Sequence, residues 1–336
     1  MESKASEIVV VTGGTAGVGR ATVRRFAAAG AHIAVLARGE DGLDATAREV
    51  LRLGGRALPI QVDVADANQV FAAAERIERE LGPIDIWINN AMATVYGRVD
   101  QLTPEELRRV TDVTYHGCVW GTMAALRAMR PRGRGTIVQV GSALAHRAIP
   151  LQAAHSAAKH AIRAFTDSLR SELHHDQIGI ELTMVQLPAV NTPQYDWCEN
   201  KLPVAPEPAP PIYQPELAAD AIWFAAHHPR REVWVGGSTI RAILGHDLMP
   251  GLFDRYLARV GFASGLRRPT RVSNLFGPVP GDHGAHGTLE LRARNGGVGA
   301  RVGTWLGAAG IRAAAATLVL GMVVSGTWLL VRARPA

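Results

Sequence analysis

The sequence predicts an α/β protein with a Rossmann-type, doubly wound parallel sheet and helices on both of its faces. A β-branched run, Ile8–Thr12, leads into the glycine-rich turn G-G-T-A-G-V-G and then into a helical pattern from Arg20 to Ala29. Short apolar runs and amphipathic helical patterns alternate from there to about residue 262. Strands that alternate with helices in this way form parallel sheets.

The remaining elements continue this alternation. Thr103 and Glu106 have the spacing of a capping box, with Pro104 at the first helical position between them. We expect strands at His32–Ala37, Ala57–Val62, Ile84–Asn89, Thr136–Val140, Ile180–Leu187 and Glu232–Val235, and helices at Asp41–Gly54, Ala67–Leu81, Val110–Met129, Gln152–His174, Pro215–His227 and Met249–Phe262.

The excess positive charge lies at the C-terminal end. The chain has 336 residues and a net charge of +6, and from Leu266 onward it carries nine Arg against only Asp282 and Glu290. Basic segments bind nucleic acid or anionic membranes. No nucleic-acid module or zinc-ligand spacing is recognisable, so we expect a membrane partner, no nucleic acid and no metal. The two cysteines, Cys118 and Cys198, imply no disulfide framework.

We divide the chain into a main domain at residues 1–265, a linker rich in Gly, Pro and Arg at 266–311, and a single hydrophobic helix at 312–332. The stretch Ala313–Val331 holds no charged residue, and its length is enough for a helix to cross a bilayer. Its alternative is a soluble or interfacial C-terminal helix. The polar start, Met1–Glu7, has no signal-peptide core, so the main domain is expected in the cytoplasm with this helix as its membrane anchor.

One segment, Val140–Lys159, brings three reactive side chains together. Ser142 follows a predicted strand, and His155 and Lys159 are four residues apart on one face of a predicted helix. A hydroxyl, a proton carrier and a cation in one place indicate acid/base chemistry on an oxygen atom. The alternative for His155 is an ordinary surface or packing residue.

A second group of residues indicates a dinucleotide site. The turn Thr12-Gly13-x-x-x-Gly17-x-Gly19 lets the backbone approach a phosphate at a helix N-terminus, although it could also be a plain tight turn. Arg38, at the end of the second strand, could pair with a 2′-phosphate and so select NADP, or could be an ordinary surface residue. Asp63 ends the third strand, on the edge of the sheet where ligands bind.

Three aromatic residues lie in or beside the Pro-rich connection Pro188–Pro211, which resembles the long loops that close over sites. Tyr195, Trp197 and Tyr213 either line a pocket there or pack in the core.

Taken together, these motifs resemble the short-chain dehydrogenase/reductase family over about Ile8–Leu244. The carriers of the resemblance are the glycine turn, Asp63, Asn89-Asn90-Ala91, Ser142, and Lys159 at the end of a Tyr-x-x-x-Lys pattern. The resemblance implies hydride transfer between NAD(P)H and an alcohol/carbonyl pair. It implies catalytic roles for Ser142, His155 and Lys159. The cofactor contacts that it implies are Thr12, Gly13, Thr15, Gly17, Val18, Gly19, Arg38, Asp63, Val64, Asn90, Ala91, Lys159 and Thr192.

Four positions depart from the family pattern. His155 stands in place of the catalytic Tyr, Thr114 in place of an Asn that belongs to the proton relay, Ala189 in place of a Gly after Pro188, and Met92 in place of a Gly after Ala91. An imidazole can carry a proton near neutral pH, but it is shorter than a phenol. A nitrogen that falls an ångström short can cost about 100-fold in rate.

These observations predict an NADP-dependent oxidoreductase, with NAD as the possible substitute, that acts on a hydrophobic alcohol or carbonyl. Its site would carry Ser142, His155 and Lys159 in place of Ser, Tyr and Lys. The alternative is a membrane-tethered NADP-binding protein that no longer catalyses and serves interaction or sensing. A third reading is that the His replacement was introduced or arose by chance in an active lineage. By resemblance, a homodimer or homotetramer is expected.

Overall fold

The computed structural model describes residues 6–262, 272–297, 301, 304 and 306–317. The strands in these residues are β1 Ile8–Thr12, β2 His32–Ala37, β3 Ala57–Gln61, β4 Ile86–Asn89, β5 Val95–Tyr96, β6 Arg134–Ser142, β7 Gly179–Leu187, β8 Glu199–Asn200, β9 Ile212–Tyr213, β10 Glu232–Trp234 and β11 Ala293–Arg294. Seven of them form a parallel sheet in the order β10-β7-β6-β4-β1-β2-β3, which confirms the predicted doubly wound architecture. The helices are α1 Gly17–Ala27, α2 Glu40–Arg52, α3 Ala67–Glu80, α4 Pro104–Thr111, α5 Gly117–Met129, α6 Ala153–His175, α7 Gln194–Trp197, α8 Pro215–His227, α9 Gly236–Leu248 and α10 Pro250–Val260.

The central strand β1 determines where ligands can bind. It pairs with β2 on one side and with β4 on the other, and all five of its residues are buried. Its side chains alternate between two cores, with Val9 and Val11 packing beneath α1 and α8 and Val10 packing on the opposite face beneath α3 and α5. The chain reverses its winding direction at β1, so a crevice opens at the carboxyl ends of β1 and β4.

The predicted long helix Val110–Met129 is interrupted. The capping box of Thr103 and Glu106 is present and starts α4, but a single π-helical turn at Asp112–His116 separates α4 from α5. Such a turn inserts one residue into the helical register, and apolar periodicity does not reveal it. Helix α9 was also missed, because its first two residues are glycines and resemble a loop.

The described part of the predicted linker packs against the main domain. We call residues 272–297 the C-terminal strap, because this segment runs across the carboxyl ends of the strands. Leu275 is fully buried in the core, and β11 pairs with β9. Residues 306–317 are helical, and Ala308 and Ile311 pack against Trp234.

The described residues contain no helix that is long and apolar enough to cross a membrane. The predicted anchor at 312–332 lies outside the described residues from position 318 onward, and it stays a prediction.

Candidate active site

One cavity of about 1440 Å³ occupies the crevice at the carboxyl ends of the strands. Apart from Thr12, which is buried behind the glycine turn, every predicted cofactor and catalytic residue lines it. In the described part of the chain no cluster of His, Cys, Asp or Glu is suited to a metal ion.

The glycine turn presents main-chain donors to this cavity. Gly13 and Gly17 adopt left-handed backbone conformations, with φ of +65° and +56°. Residues other than glycine adopt such conformations only with strain. A Cβ at Gly19 would overlap the Gly13 carbonyl oxygen. Among the described residues, the N–H groups of Val18 and Gly19 have no hydrogen-bond acceptor. Two free N–H groups at the start of α1 form a suitable site for a phosphate.

Asn90, the residue that follows β4, supports this turn from behind. Asn90 donates through Nδ2 to the carbonyl oxygens of Thr12 and Gly13, at 3.0 and 3.1 Å. Thr12 Oγ1 in turn accepts from the N–H groups of Asn90 and Ala91. Asn89 is buried and donates to Thr122 and Gln139 instead. Asn90 therefore positions the backbone of the turn and lines the cavity, whereas Asn89 ties β4 to α5 and β6.

Three charged residues meet at the far end of the cavity, beside the ends of β2 and β3. Arg109 donates to Asp63 at 2.6 Å, and Arg38 donates to the carbonyl oxygens of Asn274 and Leu275 in the strap. Burial lowers the pKa of Arg38, and the nearby Arg109 lowers it further against the opposing effect of Asp63. Two guanidinium groups against one carboxylate leave one positive charge uncompensated, so this end of the cavity favours an anion.

Ser142, His155 and Lys159 lie together at the opposite end. Ser142 Oγ accepts from the Leu144 N–H at 3.1 Å, and Lys159 Nζ donates to the Val140 carbonyl at 2.7 Å. His155 is only 7% exposed, and its Nδ1 has no hydrogen-bond partner in the described protein. A buried nitrogen without a hydrogen-bond partner costs free energy.

The electrostatics keep the His155 ring neutral. Burial, and then the charge of Lys159, lower the pKa of His155 to about 3, while the Ala93 carbonyl acts in the opposite direction. Burial also lowers the pKa of Lys159 to about 8. Near neutral pH the site therefore holds a neutral imidazole beside an ammonium group.

Acid should test this burial directly. Below pH 6.5 the unfolded chain protonates His155, whereas the folded ring stays neutral down to about 3, so the native protein must lose stability as the pH falls. We expect this to cost about 2 kcal/mol at about pH 5 relative to neutral pH. Urea unfolding at a series of pH values should show that slope weakened in His155→Gln. The exposed His174→Gln, on the same helix, should retain it, and equal slopes in all three proteins would contradict the burial.

Thr114, which replaces the relay Asn, is bound to the backbone. Its hydroxyl accepts from the Ala93 N–H and donates to the Ala93 carbonyl, both at 3.0 Å. Because that carbonyl also acts on His155, Thr114 holds in place the main-chain group beside the ring. This arrangement comes from the π-helical turn that contains Thr114.

Sequence reasoning did not predict that the C-terminal strap lines the cavity. The strap contributes Asn274, Pro278, Val279, Gly281 and His283 to the lining. No periodic pattern marks these residues, and the only available signal was the Pro/Gly-rich composition that suggested a linker. The sequence did not decide whether three aromatic residues line a pocket or pack in the core. Tyr195 and Trp197 line the cavity, whereas Tyr213 packs in the core beneath α8.

Several contacts fasten the strap over the glycine turn. The Gly284 carbonyl accepts from the Gly17 N–H at 3.0 Å, and Asp282 pairs with Arg20 at 3.2 Å. Arg20 is almost fully buried and also binds Glu49. The strap therefore covers the phosphate site, and a dinucleotide in the crevice would lie beneath it.

A parallel sheet with a glycine turn, an anion-binding end and a Ser/His/Lys end defines the class of dinucleotide-binding oxidoreductases. The chain belongs to the short-chain dehydrogenase family, whose model matches residues 7–199.

Three known proteins illustrate the similarity. "Uncharacterized oxidoreductase YxnA" of Bacillus subtilis is 31% identical over 260 residues, which is 77% of this chain and 73% of the relative. A short-chain dehydrogenase structure from Streptomyces avermitilis superposes with a TM-score of 0.64 at 25% identity, covering 76% of this chain and 98% of that one. L-Sorbose reductase from Gluconobacter frateurii, solved with NADPH and L-sorbose, gives a TM-score of 0.54 at 27% identity over 57% of this chain and 73% of that one.

Proposed function

We propose that this protein uses NADP to interconvert an alcohol and a carbonyl, with Ser142, His155 and Lys159 as its catalytic residues. The observation that carries the proposal is that Ser142, His155 and Lys159 converge on the lining of one cavity. A hydroxyl, an imidazole and an ammonium group at one place in a cleft are the groups that proton transfer to or from an oxygen atom needs.

The residues present fit a phosphorylated dinucleotide. The free N–H groups of Val18 and Gly19 suit its diphosphate, and the uncompensated charge of Arg38 and Arg109 suits a 2′-phosphate. The L-sorbose reductase relative was solved with NADPH, which agrees with this selection. We therefore expect the site to bind NADP more tightly than NAD.

Replacing Arg38 by alanine should weaken NADPH binding about tenfold and leave NADH binding nearly unchanged, because the lost hydrogen bonds are charge-assisted ones to a group that NADH lacks. Fluorescence titration with both cofactors measures the two affinities. Arg56→Ala, which removes an exposed guanidinium bound to the Glu80 carbonyl, is the control. Equal weakening of NADPH and NADH binding would assign Arg38 to holding the strap and not to cofactor choice.

The strap should slow the release of the cofactor. Asp282→Ala removes the ion pair with Arg20, which is worth about 1 kcal/mol in a half-exposed setting, so NADPH should dissociate about fivefold faster. Stopped-flow displacement of bound NADPH gives the rate. Asp220→Ala, which removes ion pairs with Arg25 and Arg301 and does not line the cavity, should not change it. If both variants release NADPH at the native rate, the strap does not retain the cofactor.

The cofactor, when bound, donates or accepts the hydride. The protein's part is to move the proton. A neutral imidazole carries one N–H and one free lone pair. The ring nitrogen that reaches the cavity can take the proton of a substrate hydroxyl, and Ser142 Oγ can donate to the same oxygen. Lys159, as ammonium, attracts the negative charge that develops on that oxygen.

The substrate end of the cavity is apolar with two phenols. Tyr96 and Tyr195 lie with their ring centroids 6.4 Å apart, near Leu151 and Leu202. Burial raises the pKa of Tyr195 to about 12, so its hydroxyl stays protonated and can donate a hydrogen bond. This lining suits a hydrophobic carbonyl or alcohol.

We propose as well that residues 312–332 anchor the cytoplasmic catalytic domain to a membrane, and that the protein is a homodimer or homotetramer.

The alternative remains a membrane-tethered NADP-binding protein with an interaction or sensing role. The observation that favours it is the low pKa of His155, about 3, which makes the ring a weak base. A panel of carbonyls with NADPH, and of alcohols with NADP, separates the two functions when native protein, His155→Ala and His155→Tyr are assayed together. Turnover by the native protein that His155→Ala abolishes supports the enzyme. NADPH binding without native turnover, with activity only in His155→Tyr, supports the alternative.

A further inference from the structure

The helix pair α9 and α10 exposes large apolar side chains to solvent. Leu248, Leu252 and Tyr256 are 66%, 58% and 56% exposed. On α10, Leu252, Tyr256 and Val260 follow one another at intervals of four residues, so they form a single stripe along one face of the helix. Soluble surfaces rarely concentrate apolar groups in this way without a partner.

The stripe continues into the cavity. Leu252, Tyr256 and Val260 each line the cavity as well as facing solvent, and Phe253 and Leu257 complete the same wall from the inner side. The helix therefore forms part of the entrance through which a substrate must pass.

Positive charge borders the stripe. Arg255 and Arg259 are exposed on α10 and lie one helical turn from Leu252 and Tyr256. Within α10 these two arginines stand against a single acidic residue, Asp254. Asp254 is itself paired with Arg147 at 2.6 Å. An apolar helix face with basic residues at its edge is the pattern of helices that lie in the interface of an anionic membrane.

We propose that α10 binds an anionic lipid surface, with Leu252, Tyr256 and Val260 among the headgroups, so that the cavity opens onto the membrane. A second copy of the chain is a poorer partner, because pairing this face with itself would bring Arg255 and Arg259 against like charges. The docking does not depend on which reaction the site performs. If the enzyme function proposed above is correct, the substrate is an amphiphile that enters from the lipid.

An environment-sensitive fluorophore on the full-length chain tests the docking. Both native cysteines are buried, so a nitrobenzoxadiazole label on Tyr256→Cys reports this helix. Vesicles of phosphatidylcholine with phosphatidylglycerol should shift its emission to the blue, and a lipid spin-labelled near the headgroup should quench it. Leu51→Cys is the control, because Leu51 is an exposed leucine on α2. Its emission should not change.

The charge requirement is tested in the same assay. Arg255→Gln with Arg259→Gln should weaken vesicle binding at α10 about thirtyfold, whereas Arg48→Gln with Arg52→Gln on α2 should not. Three results would overturn the proposal. The first is vesicle binding that leaves the emission of the Tyr256→Cys label unchanged, which would assign attachment to another segment. The second is a response of that label to protein concentration without lipid, which would indicate a second copy. The third is an equal response of both labelled positions. NADPH binding and turnover are measured separately, so failure of the enzyme function would not be confused with these outcomes.

Discussion

Replacing Lys159 by methionine is expected to lower turnover about 100- to 10,000-fold, because it removes the positive charge beside the proposed proton carrier. Lys159 is 4% exposed and its ammonium group donates to the Val140 carbonyl. Methionine has a similar length, so packing is largely kept. The pKa of His155 should rise in this variant, since the repulsion from Lys159 disappears while burial remains.

The pH profile distinguishes this role from a structural one. The pKa of Lys159 is about 8, so the ammonium form is present below that pH and is lost above it. Native turnover should therefore decline as the pH rises through about 8, and the residual activity of Lys159→Met should not. Lys201→Met removes a lysine that pairs with Glu106 outside the cavity, and should keep the native profile. An unchanged rate in Lys159→Met would remove Lys159 from the mechanism.

Gly19→Ala is expected to abolish NADPH binding and to destabilise the fold. The added Cβ would overlap the carbonyl oxygen of Gly13 and press on Asn90 Nδ2, the group that fastens the turn to β4. Neither the backbone nor this hydrogen-bonded amide can move without loss of the contacts between the turn and β4. Overpacking of this kind costs about 3 kcal/mol, which corresponds to a melting temperature about 10 °C lower.

Calorimetry with and without NADPH measures both effects. The control is Gly237→Ala, because an added Cβ there meets no atom within 4 Å and the residue lies in helix α9. That variant should melt at the native temperature or slightly above it and bind NADPH normally. If Gly19→Ala keeps native affinity, the turn is not the phosphate site.

Much of the site was predictable because its signals are local. β1, the glycine turn and α1 follow one another in the chain, and Ser142, His155 and Lys159 lie within 18 residues of sequence. Four-residue spacing on a helix is enough to place His155 beside Lys159. The π-helical turn that presents Thr114 to Ala93 was not predictable, since one inserted residue leaves no trace in apolar periodicity.

By itself the sequence determined the doubly wound sheet, the family, and the set of side chains at the crevice, because strand and helix periods and short motifs are properties of neighbouring residues. Only the tertiary structure decided that the segment predicted as a linker covers the cavity, that Arg109 pairs with Asp63, and that His155 is buried with a free Nδ1. Arg20 meets Asp282 across 262 residues of chain, and Arg109 meets Asp63 across 46. Contacts over such separations have no periodic pattern, and they form only when the sheet brings distant loops to the same edge.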